Sequence, residues 1–262
     1  MRCWRAELAL RYEKRGARSV LASRRHDGPL VVQKPLYPEG DAVCHTLVVH
    51  PPAGIAGGDE LSVDVVAADG AHALLTTPGA AKWYRSAGPW AYQHVRLEAG
   101  EGACLEWLPQ ETILYDRSLA AMRTQVVLAA GARYIGWEML CLGRTGSGER
   151  YAAGRCRLAT DITRGGMPLW RERGEPDVSS AAGMAGRTVC GTLFAVGKVS
   201  DELLARSREN RMGEVTRLPQ LLVARYLGDS SEAARQWFAA LWKLLRPVIA
   251  GREAVEPRIW RT

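Results

Sequence analysis

Hydrophobic and polar positions alternate in short runs along most of the chain, a pattern typical of β-strands. Up to about residue 198 these runs are separated by Gly, Pro, Asp or Asn at intervals of roughly 8–15 residues. No helical pattern intervenes at the spacing of βαβ units, which disfavours a parallel doubly wound sheet. A sandwich, a barrel and a β-helix-like stack all fit. The predicted strands are residues 43–50, LSVDVVA, AHALLTT, AYQHVRLEA, ACLEWLP, TQVVLAA, ARYIGWEMLCLG and YAAGRCRLAT.

Two helices are predicted near the C-terminus. The first begins after Ser200, a suitable N-cap, and ends near Gly213. At the start of the second, Asp229 and Glu232 match a D-x-x-E variant of the capping box. Pro247 is expected to kink or end this helix. The residues predicted to form its apolar face are Trp237, Phe238, Leu241, Trp242, Leu245, Val248 and Ile249.

The composition is that of an ordinary globular protein, with 262 residues, 47% of them hydrophobic, and a net charge of +7. The basic excess raises the question of a nucleic-acid ligand, but the bases are scattered singly and form no recognised binding module. The apolar runs are too short to span a membrane, and the N-terminal segment lacks the apolar region of a signal peptide. We therefore expect a cytoplasmic protein that binds neither nucleic acid nor a membrane.

The common motifs of metal, redox and hydrolytic chemistry are absent from the sequence. The six cysteines are far apart and none is in a CxxC pair, which predicts free, mostly buried thiols. There is no P-loop GxxxxGK[ST], no GxSxG and no HExxH, so neither nucleotide hydrolysis nor a common hydrolase is indicated. The segment GIAGGD lacks both the GxGxxG spacing and a following helix, and is interpreted as a turn.

Cys44, His45 and His50 form the only cluster of metal-capable side chains that is apparent in the sequence. Alternation along a strand places Cys44 and His50 on one face and His45 on the other. Three ligands from one strand cannot close a tetrahedral site. These residues are therefore only weak candidates for metal ligands. The alternative is that they are structural, with each histidine hydrogen-bonded within the fold.

Four carboxylates interrupt apolar segments: Asp59, Glu106, Glu138 and Glu172. A buried carboxylate is costly unless it is ion-paired, faces a hydrated cavity or binds a cation. Because the chain contains 30 arginines, pairing with arginine is the default expectation for each of the four.

A resemblance to a known family is carried by long motifs in collinear order over essentially the whole chain. The motifs are PLYPEGDAVCHTLVVHPPAGIAGGDELSVDV, LLTTPGAAKWYRS, LEWLPQETI, GWEMLCLGR, LLVARYLG and, at the end, LRP followed by PRIW. They resemble the urease accessory protein family UreD, called UreH in some organisms. The resemblance implies one domain over residues 1–262, β-rich over 1–198 and helix-containing over 199–262. The implied fold is mainly β, a β-helix-like stack of many short strands with about two helices near the C-terminus.

The same resemblance implies a non-enzymatic maturation factor of the nickel enzyme urease. Members dock on the urease apoprotein, bind the accessory protein UreF and the GTPase UreG, and conduct nickel(II) in transit through an internal tunnel, with no tightly bound cofactor. Asp59, Glu138 and Glu172 lie in the family-like motifs GGD, GWE and PLWRER and are the candidate path residues. Carboxylates suit a conduit because they bind nickel more loosely than thiolates or imidazoles and so release it.

Two alternatives remain open at this point. The candidate acids are either path residues or members of structural salt bridges. An enzyme of the hydrolase type would instead use Asp59 or Glu138 with His50 as an acid/base pair.

Overall fold

The protein is built mainly from β-strands wound into a solenoid of about four turns, which confirms the predicted fold class. The computed structural model describes residues 3–52 and 54–261. Residue 53 of the Pro/Gly loop, and residues 1, 2 and 262 at the ends of the predicted domain, lie outside this part. The strands are β1 (Arg5–Arg15), β2 (Arg18–Asp27), β3 (Val31–Val32), β4 (Cys44–Val49), β5 (Gly54–Ile55), β6 (Glu60–Ala67), β7 (His72–Thr76), β8 (Ala81–Trp83), β9 (Ala91–Ala99), β10 (Cys104–Trp107), β11 (Thr112–Leu114), β12 (Leu119–Leu128), β13 (Arg133–Leu142), β14 (Arg155–Arg164), β15 (Met167–Gly174), β16 (Val189–Val196), β17 (Glu214–Leu218) and β18 (Leu221–Gly228).

Two sheets form the walls of the solenoid. The seven-stranded sheet has the order β15-β14-β12-β9-β6-β1-β2, and its inner strands are parallel. The eleven-stranded sheet has the path β17-β18-β16-β13-β10-β7-β4-β3, and the short strands β5, β8 and β11 form a third side. Three coils thus contribute one strand to each wall and one short strand to the third side, and in the fourth coil the end of β13 pairs with β11 on that side. The antiparallel strands β2 and β15 end the first sheet at its two edges.

Alternation along the strands of the larger sheet divides the apolar residues between two cores. On β7, Ala73 and Leu75 face the core between the sheets, whereas Leu74 faces a second core outside the larger sheet. Helix α2 (Ser231–Ile249) covers this outer face and buries Trp237, Phe238 and the following apolar residues against it. The shorter helix α1 (Asp201–Glu209) lies nearby. Two short 3-10 turns occur at Thr145–Ser147 and Arg258–Arg261.

The start of α1 is confirmed, since the Ser200 side chain accepts a hydrogen bond from the Leu203 N–H at 3.1 Å. Its predicted end is wrong, because the helix stops at Glu209, four residues before Gly213. The C-terminal part contains the two predicted helices, and between them lie β17 and β18, which pair with each other, while β18 also pairs with β16.

The predicted cap of α2 is wrong by one residue. Ser230 is the N-cap and accepts from the Ala233 N–H at 3.1 Å, while the Asp229 carboxylate pairs with Arg187 at 2.6 Å. Pro247 does not end the helix, which continues to Ile249. The predicted apolar face is buried except at one position, Val248, which is 56% exposed.

Candidate functional site

A cavity of about 810 Å³ lies between the two sheets. Its wall on the smaller sheet consists of two rows of side chains that cross the strands, each row made of residues paired in register on neighbouring strands. Because the rows cross the strands, the cavity follows the direction in which the coils stack. The first row is Leu61, Gln93, Met122, Leu158 and Gly174, and the second is Val63, Val95, Thr124, Thr160 and Glu172.

The second row changes from apolar to polar along its length. It begins with two valines, continues with two threonines and ends at Glu172. The opposite wall, on the larger sheet, carries its own polar line of paired residues. That line is Glu138, Thr192, Arg225 and Glu214.

Glu138 projects from β13 into the cavity and is hydrogen-bonded across it. The Thr124 hydroxyl donates to Glu138 Oε1, and the Thr160 hydroxyl donates to Oε2 at 3.4 Å. Burial raises the pKa of Glu138, these two hydrogen bonds oppose the rise, and the nearby charge of Glu172 adds to it. Within the described residues no arginine, lysine or histidine forms an ion pair with Glu138. The expectation that each of the four acids pairs with an arginine is therefore wrong for Glu138.

Glu172 lines the same cavity but has a cationic partner. Arg225 Nη2 donates to Glu172 Oε1 at 2.6 Å, and the Trp170 Nε1–H donates to Oε2 at 3.3 Å. The Arg225 guanidinium also lies 5.4 Å from the centre of the Trp170 ring. Both carboxylate oxygens of Glu172 are therefore engaged, as the salt-bridge alternative expects.

Asp59 is not among the residues that line the cavity. It closes the glycine loop, where its Oδ1 accepts the Trp4 N–H at 3.0 Å and its Oδ2 accepts the Ala56 N–H at 2.8 Å. These bonds join the N-terminal segment to the loop. The structure thus brings Glu138 and Glu172 to one cavity and leaves Asp59 outside its wall.

The cluster around β4 is divided between the two faces of the strand. Cys44 is buried in the core between the sheets, and His50 lines the cavity on the same side. Burial lowers the pKa of His50, with a weaker opposing effect of Asp59. His45 points to the opposite face, as alternation predicts, and its Nε2 lies 2.5 Å from Glu39 Oε1.

Similarity to known proteins decides the family. A family model described as UreD urease accessory protein matches residues 5–261. The chain belongs to the UreD urease accessory protein family. It is 53% identical over 273 residues to the urease accessory protein UreD of Dechloromonas aromatica, covering 99% of this chain and 95% of the relative. It is 52% identical over 269 residues to that of an Azoarcus species, covering 99% and 94%. Membership of this family supports a role in the maturation of urease.

A second polar cluster in this UreD-family chain lies on the outer face of the larger sheet, under α2. His72 on β7 and Cys104 on β10 are paired in register, and Glu106 follows on the same face. These three side chains are buried, with potential ligand atoms within 4.8 Å of one another. His72 Nε2 and Glu106 Oε1 are 2.7 Å apart.

The donor set around Glu106 fits a structural network better than a metal site. The Arg246 Nε lies 3.0 Å from Glu106 Oε2, the Trp242 indole N–H donates to the same oxygen at 2.6 Å, and both charged side chains are fully buried. Burial alone would raise the pKa of Glu106, but His72 and Arg246 hold it down at about 2. A metal ion would have to displace the guanidinium, so we assign the cluster to stability.

Only one of the two partners in this ion pair can be picked out from the sequence. Glu106 stands out as an acid in an apolar strand, and its default pairing with arginine is confirmed. Its partner Arg246 lies 140 residues away on a helix, and nothing in the sequence distinguishes it from the other arginines. Arg246 also binds Glu39 through two contacts of 2.7 Å, which ties the segment before β4 to the same helix.

Proposed function

We propose that this protein acts in urease maturation as a non-catalytic cytoplasmic scaffold that docks on the urease apoprotein, binds a UreF-like and a UreG-like protein, and conducts nickel(II) through its interior. The observation that carries the proposal is Glu138, a carboxylate that faces a cavity between the sheets and has no cationic partner among the described residues. A doubly charged ion in a low-dielectric interior is stabilised by such a carboxylate. Family membership supports the urease context, and the partner and conduction steps are our extension.

The chemistry of the cavity wall suits an ion in transit. Most of its polar groups are carboxylate, amide and hydroxyl oxygens, which bind nickel loosely. Burial is the main cause that raises the pKa of the wall thiol Cys190 to about 11, which keeps it protonated near neutral pH. His50 adds one neutral imidazole. A wall of this kind supplies ligands one or two at a time and lets the ion leave.

Of the three candidate path residues, the proposal retains Glu138 and Glu172, which line the cavity. In this proposal Asp59 has a structural role, because it lies outside the cavity wall and its carboxylate accepts the main-chain N–H groups of Trp4 and Ala56. Among the described residues no hydrogen bond joins Asp59 to His50, which argues against the hydrolase alternative that pairs them.

Blocking the cavity tests the proposal. Met122 on β12 faces the cavity, whereas Val127 on the same strand is 40% exposed on the outer face. Met122→Trp is expected to abolish activation of co-expressed urease while the UreF-like protein and the apoprotein are still pulled down, and Val127→Trp is the matched control. Equal activation by a folded Met122→Trp variant would refute conduction through this cavity.

A further inference from the structure

The loops that lead from the short third side into the seven-stranded sheet stack on one another in successive coils. Main-chain hydrogen bonds join them: Gly58 N–H to Trp90 O at 3.0 Å, Ser86 N–H to Arg117 O at 2.9 Å, and Arg117 N–H to Ala153 O at 2.9 Å. The loops of four coils therefore form one continuous edge of the solenoid. This edge contains the ends of the GIAGGD and KWYRS segments, which follow the short strands β5 and β8.

Exposed aromatic residues concentrate along this edge. In the part of the chain that the structure describes, the large hydrophobic side chains that are both aromatic and exposed are Trp4, Tyr84 and Tyr92, at 52%, 38% and 38%. Trp4 is bonded to the glycine loop through Asp59, Tyr84 precedes the second stacked loop and Tyr92 follows it. Tyrosine and tryptophan at a surface are typical of protein interfaces.

Arginines stack on the aromatic rings beside these exposed residues. The Arg144 guanidinium lies 4.3 Å from the centre of the Tyr115 ring, which in turn packs edge-on against Tyr84 at 5.1 Å. The Arg157 guanidinium lies 4.2 Å from the centre of the Trp90 ring. Stacking holds these long side chains in place, so that less conformational entropy is lost when a partner binds them.

The charge of this edge is positive. The loop-edge patch, as we define it, contains six arginines, and three acids contact or neighbour them, Asp116, Glu149 and Glu175. The six arginines of the patch exceed these three acids by three. Asp59 and Glu60 lie outside the patch, at the glycine-loop end of the same edge. Among the described residues, neither Arg85 nor Arg150 forms an ion pair. The patch consists of Tyr84, Arg85, Trp90, Tyr92, Tyr115, Arg117, Arg144, Arg150, Arg155 and Arg157.

We propose that the loop-edge patch docks a folded protein partner that presents clustered Asp and Glu side chains, within the assembly that matures urease. The proposal rests on the proposed function for its choice of partners. Arginine binds carboxylates with planar, bidentate geometry. A second copy of this chain is the poorer occupant because its own net charge is +7. A nucleic acid is also poorer, because guanidinium groups already cover a face of Trp90 and of Tyr115, where bases would stack.

The loop-edge patch also lies close to the internal cavity. Strands β8 and β11 run beside it on the third side, and Ala81, Lys82 and Thr112 of these strands line the internal cavity. A protein bound at the patch would therefore sit next to the cavity, where an ion could pass between the two proteins.

Charge reversal at the patch tests the proposal. Arg85→Glu with Arg150→Glu reverses two arginines that have no acidic partner in the described part of the chain, so the fold is expected to survive. Arg144→Glu with Arg157→Glu is the second patch variant. Arg24→Glu with Arg25→Glu makes the same charge change on exposed residues of β2, at the far edge of the sheet. Each full-length variant is assayed for binding to purified urease apoprotein and, separately, to a purified UreF-like protein.

Both patch variants are expected to bind at least one of these two proteins about tenfold or more weakly than wild type, with the control unchanged. Binding of both proteins at control strength by both patch variants would overturn the patch assignment alone. Salt-dependent binding of wild type to duplex DNA or RNA that only the patch variants lose, with protein binding intact, would overturn it in favour of nucleic acid. Wild type that binds neither protein would overturn the proposed function and the patch with it.

Discussion

Arg246 on helix α2 binds Glu106 on strand β10 at 3.0 Å, and neither side chain is exposed. The guanidinium bonds Glu39 as well, so one arginine joins the helix, the central strands of the larger sheet and the segment before β4. A buried pair of this kind contributes little relative to an apolar core, but it is costly to break.

Removing this arginine is expected to destabilise the fold strongly. Arg246→Met takes the guanidinium away from buried Glu106 and Glu39, so that within the described residues His72 and His45 are the only basic side chains that still face these carboxylates, which costs about 3–5 kcal/mol of the free energy of unfolding. Arg235→Met, which breaks the surface pair with Glu232, is the control and is expected to cost less than about 1 kcal/mol. Urea denaturation measures both, and equal small losses would show that the buried network does not stabilise the helix.

The network also predicts how stability depends on pH. Cys104 and Glu106 raise the pKa of His72 from its usual 6.5 to about 10 against the effect of burial. Stability from His72 is therefore complete below about pH 6.5 and is lost as the pH rises through about 10. The pKa of Glu106 is lowered from 4.5 to about 2, so its contribution is present above about pH 4.5 and is lost as the pH falls through about 2.

A comparison of variants isolates this effect. The free energy of unfolding of wild type is expected to decline between pH 6.5 and 10, and His72→Gln is expected to show a shallower decline from a lower starting value. Parallel curves for the two proteins would mean that His72 does not carry the alkaline loss.

The charged Glu138 carboxylate is expected to lower the free energy of unfolding at neutral pH. Because its folded pKa is raised above the usual 4.5, the unfolded chain releases this proton more readily, and folding is disfavoured as the pH rises above about 4.5. Glu138→Gln removes the charge and should increase the thermal midpoint at pH 7.5, with little effect at pH 4. A lower thermal midpoint of Glu138→Gln at pH 7.5 would show instead that the Glu138 carboxylate forms a stabilising ion pair in the folded protein.

Asp59 is expected to behave as a structural residue. Asp59→Ala leaves the Trp4 and Ala56 N–H groups without their acceptor and should cost about 1–3 kcal/mol, with faster hydrogen exchange at both amides. Asp59→Asn keeps one carbonyl oxygen and should lose less. Unchanged stability in Asp59→Ala together with lost nickel transfer would return Asp59 to the path.

Strand positions were largely predictable, but their pairing was not. The predicted segment AYQHVRLEA coincides with β9, since alternation reports directly which side of a strand is buried. The solenoid could not be distinguished from a sandwich because its coils are unequal. Glu60, Tyr92, Ala121 and Arg157 are stacked in register, yet they are 32, 29 and 36 residues apart. Such spacing leaves no fixed period in the sequence.

The acidic residues of the candidate site could be predicted from the sequence, but the side chains that contact them could not. An acid within an apolar strand signals special surroundings, which the sequence showed for Glu106, Glu138 and Glu172 alike. Whether the surroundings are an arginine, a cavity or hydroxyl groups depends on contacts across the fold. Thr124 and Thr160 reach Glu138 from the opposite sheet, and threonine on a strand carries no separate signal.

Nickel content of urease is the most direct test of conduction past Glu138. Urease is purified from cells that co-express the other accessory proteins with wild type, Glu138→Gln or Glu60→Gln, the last being a control for an exposed acid on β6. Glu138→Gln is expected to lower the nickel content about tenfold or more while the amount of assembled complex stays constant. A nickel content equal to wild type, with Glu138→Gln folded and assembled, would contradict conduction past Glu138.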